Sequence, residues 1–551
     1  MAPGDIVTGR SACLGRFARV ALFVTVLFSS FSGLSGPVFS QVACLPISRI
    51  ATTGVTLLPD DDLRAVLAPF QGRCLGLAAF DDALRAVTLA YVDLGYIGAR
   101  AYLPAQDLSD GVLEIAVVEG SLEAVRFNGA PDPRWERVVF PGLVGRPVQL
   151  RAIEQGLDII RSMPSYGAEM TLSAGASPGG SVLEVAATSR RPWTLRVGAN
   201  NYGSRTDAVD RTVLSTYSGT VDLSWDHALG LNETWTLGWQ RGTESYPFDL
   251  ADGDYATERV SFGVRAPYGP WTLSLDHMRS DYGLTSFGMI SFIPSDGWVR
   301  ETRGSVSRLL GRGRDGKTTL TGTLEARENR DRVAGIVIDA SSRRLSSFRL
   351  DLDHDRVLWS GTLRARVGVE RGLKLFDAEV LEEVSEGQPE AQFTLVDGSV
   401  SYGRSWGLES GRLRYSGSLS GQYGFDALHG NYQFNLGGVS TVRGTSRALM
   451  SGARGMLWRN EVGFTPARQD RWPGTVEVYG ALDVGHVFAR YSTTVDASDV
   501  LIGGGMSGAA LGVRGQFGRA SVDVAWHRVL SVPGGLDLPG GEVLVSVSTR
   551  F

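Results

Sequence analysis

From Trp193 to the C-terminus, apolar and polar side chains alternate with a period of two. Trp193, Leu195 and Val197 stand against Thr194, Arg196 and Gly198, and Trp235, Leu237 and Trp239 stand against Thr234, Thr236, Gly238 and Gln240. Successive side chains of a strand point to opposite faces, so each run has one apolar, aromatic face and one that is polar or small. This inverts a water-soluble barrel with a greasy interior and fits lipid outside and water inside. Residues 191–551, shared over about sixteen strands, give roughly 23 residues each, which suits ten-residue strands with short turns at one end and longer loops at the other. A soluble β-sandwich would also alternate. One of this length, however, needs several domains and linkers, and no linker follows Ser189-Arg190-Arg191-Pro192. The predicted fold is therefore a transmembrane antiparallel β-barrel of about sixteen strands, preceded by two small α+β domains.

Those two domains occupy residues 41–120 and 121–190. In the first, Ile47–Leu58 reads as a strand and Pro59-Asp60-Asp61-Asp62 opens a helix whose acidic first turn suits the macrodipole. A second helix over about 78–94 sets Phe80, Leu84, Val87 and Tyr91 at helical spacing and stops at Gly95. Ile97–Leu103 and Val112–Val118 alternate as strands. The second unit repeats this order with a strand at Leu122–Phe127, helices at Asp132–Val139 and Leu150–Met163, and strands at Ala168–Ser173 and Val182–Ala187. Units of this size have room for one buried layer, two helices on one sheet face.

The N-terminus carries Arg10, Arg16 and Arg19 and then the apolar run Val20–Phe31, which is too short to span a bilayer as a helix. It reads as a signal peptide over 1–40, with cleavage after Ser40 and export of the mature chain. Cys13 leaves with it, so Cys44 and Cys74 remain in an oxidising compartment and are expected to form a disulfide. A net charge of -5 over 551 residues gives no footprint for nucleic acid. Six scattered histidines make no metal-binding cluster, and no CxxC, HExxH or P-loop occurs. No cofactor and no metal are expected. The 70 glycines suit a protein of strands and turns.

Three groups of residues carry a resemblance. Gly95-Tyr96-Ile97, Leu103-Pro104-Ala105-Gln106-Asp107-Leu108, Gly111-Val112-Leu113-Glu114-Ile115 and Val117-Val118-Glu119-Gly120 closely resemble the first polypeptide-transport-associated (POTRA) domain of two-partner secretion transporters. The second domain resembles its partner through Leu150, Ile153-Glu154-Gln155-Gly156-Leu157 and Gly180-Ser181-Val182-Leu183-Glu184-Val185. Phe434-Asn435-Leu436-Gly437-Gly438 with Val442-Arg443-Gly444 resembles the loop, here around 431–455, that folds back into the barrel from outside. Asp483 and Gly485 match the inward-facing strand motif whose carboxylate meets that arginine. A guanidinium in a narrow lumen loses hydration, and a bidentate carboxylate restores its hydrogen bonds in fixed geometry. The chain departs from the family pattern at Thr445 and Ala481, where aromatics are usual. Only Gln41 to about Arg49 precede the first domain, so no pore-plugging helix is expected and the loop must do most of the closing.

The resemblance implies an outer-membrane pore that exports one or a few large exoproteins of the adhesin or haemolysin type without ATP and without making or breaking a bond. The POTRA domains would capture the unfolded client's N-terminal secretion domain in the periplasm. Gln106, Asp107, Glu119 and Gly120 are the candidate client-contacting residues; their other reading is as caps of turns and strand ends. Phe551, a terminal aromatic on a strand with Val543, Val545, Val547 and Thr549 on one face, resembles the address presented to the barrel-assembly machinery. The alternative reading is a barrel-assembly factor, which shares loop and barrel but commonly has more periplasmic domains; a porin needs neither the POTRA-like units nor Arg443.

Overall fold

The computed structural model describes residues 44–551 apart from 190, 207–212, 244–254, 288–291, 381–387, 446–449, 468–473, 489–502 and 534–539. The signal peptide, its cleavage after Ser40 and any segment ahead of Cys44 lie outside the described residues.

The first domain contains β1 (Leu45–Ile47), β2 (Arg49–Thr53), α1 (Asp60–Leu67), β3 (Arg73–Leu75), α2 (Leu77–Asp93), β4 (Arg100–Tyr102) and β5 (Val112–Val118). The expected single strand over Ile47–Leu58 is not formed as one: β1 ends at Ile47, β2 ends at Thr53, and 54–58 lies outside any strand. β1 turns aside to pair with β3, and β2 alone joins the sheet β2-β5-β4. Cys44 and Cys74 are bonded across that side ribbon, with Cα atoms 5.2 Å apart and a sequence separation of 30. Closing such a loop stabilises a small domain by about 3 kcal/mol. Phe80, Val87 and Tyr91 of α2 pack on Leu113, Ile115 and Val117 of β5, the one-layer core that the helical spacing dictates. The strand expected over Ile97–Leu103 shrinks to Arg100–Tyr102.

The second domain repeats the plan with β6 (Ser121–Phe127), α3 (Pro133–Val139), α4 (Leu150–Arg161), β7 (Tyr166–Ala174) and β8 (Gly180–Ser189) in a sheet ordered β6-β8-β7. Asp132 caps α3 by accepting from the Arg134 and Trp135 amides at 3.1 and 3.0 Å.

Sixteen long antiparallel strands, from Trp193–Thr206 to Glu542–Arg550, close into a barrel, with Ile336–Val337 as a two-residue extension of one hairpin. Leu237, Leu273, Leu350, Val367, Leu419, Trp458, Leu511 and Val547 lie exposed on the outside, as the alternation requires. Several strands outgrow the expected ten residues: Phe292–Arg312 has 21 and Gly316–Val333 has 18. At roughly 3.3 Å per residue these hairpins rise past the lipid. The barrel closes by pairing Ser546–Arg550 with Asn200–Arg196, and the ladder continues through the Asn201 side chain, which donates to the Val543 carbonyl and accepts from the Val545 amide.

The second domain is docked on the barrel's short turns. Trp135 donates through Nε1 to Asn232 at 2.9 Å, and Asn232 donates to the Ile159 carbonyl at 2.8 Å. The Gly269 amide reaches the Val138 carbonyl at 2.8 Å, and Arg312 contacts Gln155 and Asp158. His227, in the turn between Val213–Asp226 and Thr234–Thr243, lies 4.6 Å from the Trp135 ring and accepts at Nδ1 from the Asn232 amide.

Candidate functional site

The segment between the strands Gly411–Gly424 and Arg454–Pro466 enters the barrel from the end opposite the docked domain. A short hairpin, Phe434–Leu436 against Met450–Gly452, forms its stem. Gly437 and Gly438, with φ of +100° and +94°, turn the chain at the tip, and Thr441 Oγ1 donates back to the Gly437 carbonyl at 2.6 Å. Only residues without a Cβ take both positions cheaply, which is why the glycine pair precedes the arginine.

The turn delivers Arg443 to the inner wall. Its backbone N–H donates to Asp483 Oδ2 at 3.0 Å, Nε to the same oxygen at 2.6 Å, and Nη2 to Oδ1 at 2.7 Å. Asp483 is 0% exposed and Arg443 6%. The pair is thus bidentate and dry, a geometry in which leaving either partner alone costs about 3–5 kcal/mol. Sequence reasoning pairs Arg443 with one carboxylate; the structure gives it two, because Nη1 donates to Glu461 Oε2 at 2.6 Å.

Glu461 opens a wider cluster. It accepts from Arg414 Nη2 at 2.7 Å and Arg514 Nη1 at 2.6 Å; Arg414 also holds Glu477, and Arg514 holds Asp523 while lying 3.8 Å above the Tyr479 ring. Arg459 sits 3.7 Å from Asp483 and donates to the carbonyls of Ser440 and Val439 at 2.7 and 3.1 Å, so the wall grips the loop's tip as well as its arginine. Four arginines (414, 443, 459, 514) thus balance four carboxylates (461, 477, 483, 523). A neutral cluster whose members share partners can exchange them one at a time.

The glycines of the motif serve close approach. A Cβ on Gly485 would lie 2.5 Å from Leu436 Cδ2, and one on Gly508 would lie 1.6 Å from the Arg443 carbonyl oxygen. Gly444, at φ +143°, runs against the backbone of Arg528 and Val529. Leu436, Val442 and Met450 then fill a dry patch with Leu457, Val487, Met506 and Val529. The lumen is therefore not uniformly polar: its outer half holds a hydrophobic core made by loop and wall. A second apolar contact lies at the loop's root, where Leu428 and Tyr432 pack with Phe393, Leu345 and Leu395, the Tyr432 and Phe393 rings 4.3 Å apart.

The two departures from the family pattern are accommodated. Thr445 is buried, and Ala481 stands opposite Glu461 in the register, with Ala510 on its other side. This row of small residues is adjacent to the charged cluster.

The sequence alone does not single out Glu461, Arg459, Arg514 or Gly508. Arg459 and Glu461 do share the inward parity of their strand, with Met456, Trp458 and Val462 exposed on the other face. Alternation assigns a side chain to the lumen, but only the register places Arg459 opposite Asp483.

In the first POTRA-like domain, three of the four candidate client-contacting residues are occupied internally. Gln106 donates to the Glu114 carbonyl at 2.8 Å and accepts from its amide at 2.7 Å, completing the edge of β5 where β4 stops. Glu119 accepts from the amides of Thr56 and Leu57 at 2.6 and 2.7 Å and from Tyr91 Oη at 2.8 Å. Burial pushes its pKa up, and these hydrogen bonds more than offset that, holding the carboxyl below its usual range. Gly120, at φ +61°, passes so close to Gly98 that a Cβ would lie 2.3 Å from its carbonyl oxygen. Asp107 is exposed; it caps the Ser109 amide, which lowers its pKa. Phe551 is exposed at the barrel's inner rim, its backbone paired with Leu195.

Comparison with known proteins agrees with the fold of two small domains and a barrel. The model of the family described as haemolysin secretion/activation protein ShlB/FhaC/HecB matches residues 179–515, a ShlB-type POTRA domain matches 45–120 and a further POTRA domain matches 121–174. The outer membrane transporter CdiB of Dickeya dadantii (strain 3937) is 32% identical over 448 residues, covering 81% of this chain and 77% of its own. The hemolysin transporter protein ShlB of Serratia marcescens is 28% identical over 431 residues, covering 77% and 73%. The solved structure of CdiB from Escherichia coli superposes with a TM-score of 0.81 at 29% identity, covering 96% of this chain and 93% of that one.

Proposed function

The chain belongs to the haemolysin secretion/activation (ShlB/FhaC/HecB) family, and from that premise we propose how this outer-membrane transporter of a two-partner secretion system engages and releases its client. Its barrel lies in the outer membrane and its POTRA domains in the periplasm.

The client is a large exoprotein of the adhesin or haemolysin type, taken up unfolded through its N-terminal secretion domain. Strand addition needs a free sheet edge. β6 is covered by Arg146, Pro147 and Gly145, whereas β7 pairs with β8 alone and has an outer edge beyond Ala168, whose carbonyl Arg161 caps. We assign the capture edge to β7, with Gln106, Glu119 and Gly120 keeping the neighbouring domain in shape. The client then displaces the loop from the lumen. The observation that supports this most is the Arg443–Asp483–Glu461 arrangement: a buried, bidentate anchor at the tip of a loop entering from outside, whose charged neighbours offer alternative partners when it moves. Folding of the client outside supplies direction, with no nucleotide consumed and no bond chemistry by the pore.

The test is secretion. Co-expressing this protein with the large exoprotein encoded beside it should place the exoprotein in the medium, and deleting residues 48–188 should abolish this. Export that persists without those residues would remove client capture from the account. Failure of other barrels to assemble on depletion, with no exoprotein exported, would favour an assembly factor.

A further inference from the structure

The outward face of the strands Trp271–Phe287, Phe292–Arg312 and Gly316–Val333 carries charges where a lipid-facing wall should have few. Arg279 stands directly opposite Arg300, which stands opposite Glu328, and Trp298 stands opposite Asp281 on one side and Arg330 on the other. All share the parity of Val306 and Leu310, exposed on the lipid side, whereas Glu301 and Arg303 of the same strand point inward to the lumen cluster with Glu325 and Arg327.

The height of this patch is fixed by the strand. Trp271 begins beside the turn that meets the docked POTRA domain, and Leu273 and Leu275 follow on the outer face. Arg279 is eight residues above Trp271, about 26 Å along the strand and about 20 Å along the membrane normal once tilt is included. An outer-membrane barrel's apolar band is about 25 Å tall with aromatic girdles at both rims. Trp298 and its arginines therefore lie at the outer rim, at the level of the outer-leaflet headgroups.

Pairing leaves a surplus of positive charge there. Asp281 is bound bidentately by Arg279, Asp296 accepts from Arg332 through Oδ2 alone, and Glu328 is bound by Arg344 at 3.1 Å. Each of these three carboxylates is thus committed to one arginine, and Glu258, opposite Asp281, accepts from Trp239 Nε1 at 2.8 Å. Arg300 and Arg330 have no anionic partner among the described residues, and both are exposed beside Trp298. The Arg279 and Arg300 guanidinium carbons lie 5.6 and 5.1 Å from the same indole. Like charges directly opposite across a strand pair are destabilising, so an arrangement that stacks two arginines on one ring and leaves two unpaired is completed by an anion. Guanidinium groups match phosphate oxygens in a bidentate manner, and a stacked indole holds them in place while covering the sugar or acyl side of a headgroup.

We propose that Arg300 and Arg330, framed by Trp298 and Arg279, form a binding site for the phosphate group of a phosphorylated glycolipid of the outer leaflet. The site anchors this wall, whose strands are the longest among the described residues, at a fixed height in the leaflet.

The test uses the full-length protein in detergent, followed by native mass spectrometry. It is titrated with a bis-phosphorylated, acylated glucosamine disaccharide (lipid A), its dephosphorylated form, and inorganic phosphate. The phosphorylated lipid should bind, the dephosphorylated one weakly, and inorganic phosphate should not displace the lipid at equal concentration. The double variant Arg300→Ala/Arg330→Ala removes two exposed side chains, and lipid binding should weaken about thirtyfold. Arg308→Ala, a control stacked on Trp271 at the inner rim, should leave it unchanged. Equal binding by the double variant, or equal binding of both lipid forms, would overturn the site. Full displacement by inorganic phosphate would overturn the lipid as its ligand.

Discussion

The two anchors of the inserted loop are built from opposite chemistry. At its root and stem, Leu428, Tyr432, Leu436 and Met450 are held by apolar packing on Phe393, Leu457, Val487, Met506 and Val529, a patch that Val442 of the tip also joins. At its tip, Arg443 is held by directed bonds to Asp483 and Glu461. Apolar contact is roughly proportional to buried area and tolerates sliding. A bidentate ion pair fixes one position and fails as a unit when a partner leaves. Under the proposed function, the apolar anchor keeps the loop in the lumen, and the ionic one sets its register and its release.

The largest effect is expected where backbone space rather than bonding is removed. In Gly508→Val the added side chain would occupy the position of the Arg443 carbonyl oxygen, 1.6 Å from an ideal Cβ. Backbone cannot yield cheaply, so the loop tip should leave the wall with every charge still present. Protease cleavage within 437–444 of the folded barrel would report it, and an uncut loop would show that the wall can shift.

Next in size is Asp483→Ala, which leaves Arg443 with Glu461 as its carboxylate partner and the Asn460 carbonyl. Docking of the tip should weaken by about 3–5 kcal/mol, read as faster amide exchange across 440–444, with exchange at the root around Tyr432 little changed. Uniform loosening of both regions would mean that the anchors are one unit. Leu436→Ala should cost about 2–3 kcal/mol, since part of its cage is flexible side-chain ends that can close in. It should leave the Arg443 ion pair formed and secretion near normal; loss of secretion would reverse the assignment of roles.

The smallest effect concerns the joint between the second POTRA domain and the barrel, which sharpens the comparison because it responds to pH rather than to displacement. Burial lowers the His227 pKa below its usual value, although Glu233, Asp132 and Asp226 pull the other way. A neutral Nδ1 is also needed to accept the Asn232 amide. With the docked pKa depressed, the undocked state binds the proton more readily. The contribution is complete above about pH 6.5, the ordinary histidine value, and is lost as pH falls through the depressed one. Protection of the amides in the turn 227–233, meaning their exchange relative to the intrinsic rate at each pH, should fall between pH 7.5 and 5.5 in the wild type and not in His227→Asn. An identical response in both would remove His227 from the joint.

Much of this architecture is legible in the sequence because lipid and water impose a period of two on every strand. The faces of Trp235, Leu237 and Val547 follow from alternation alone, and β5 occupies the residues its pattern predicts, Val112–Val118. What alternation cannot supply is register. Arg459, Glu461 and Arg514 are each identifiable as inward-facing, yet that they surround Arg443 depends on which residue of one strand meets which of the next. Glu119 shows the converse: a carboxylate at a strand end reads as a recognition group, and its four hydrogen-bond donors become visible only when β5, α2 and the 54–57 segment are brought together. The split of Ile47–Leu58 has the same origin, since pairing of β1 with β3 is a tertiary choice that local propensity does not encode.

The claim that the ionic tip gates transport is tested most directly by Arg443→Ala, comparing exoprotein in the medium with barrel inserted in the outer membrane. The geometry predicts a normally inserted, heat-modifiable barrel whose secretion is strongly reduced, with Arg443→Lys failing to restore it because an ammonium cannot reproduce the bidentate contact with Asp483 together with the bond to Glu461. Normal secretion by Arg443→Ala, with the barrel inserted, would contradict it.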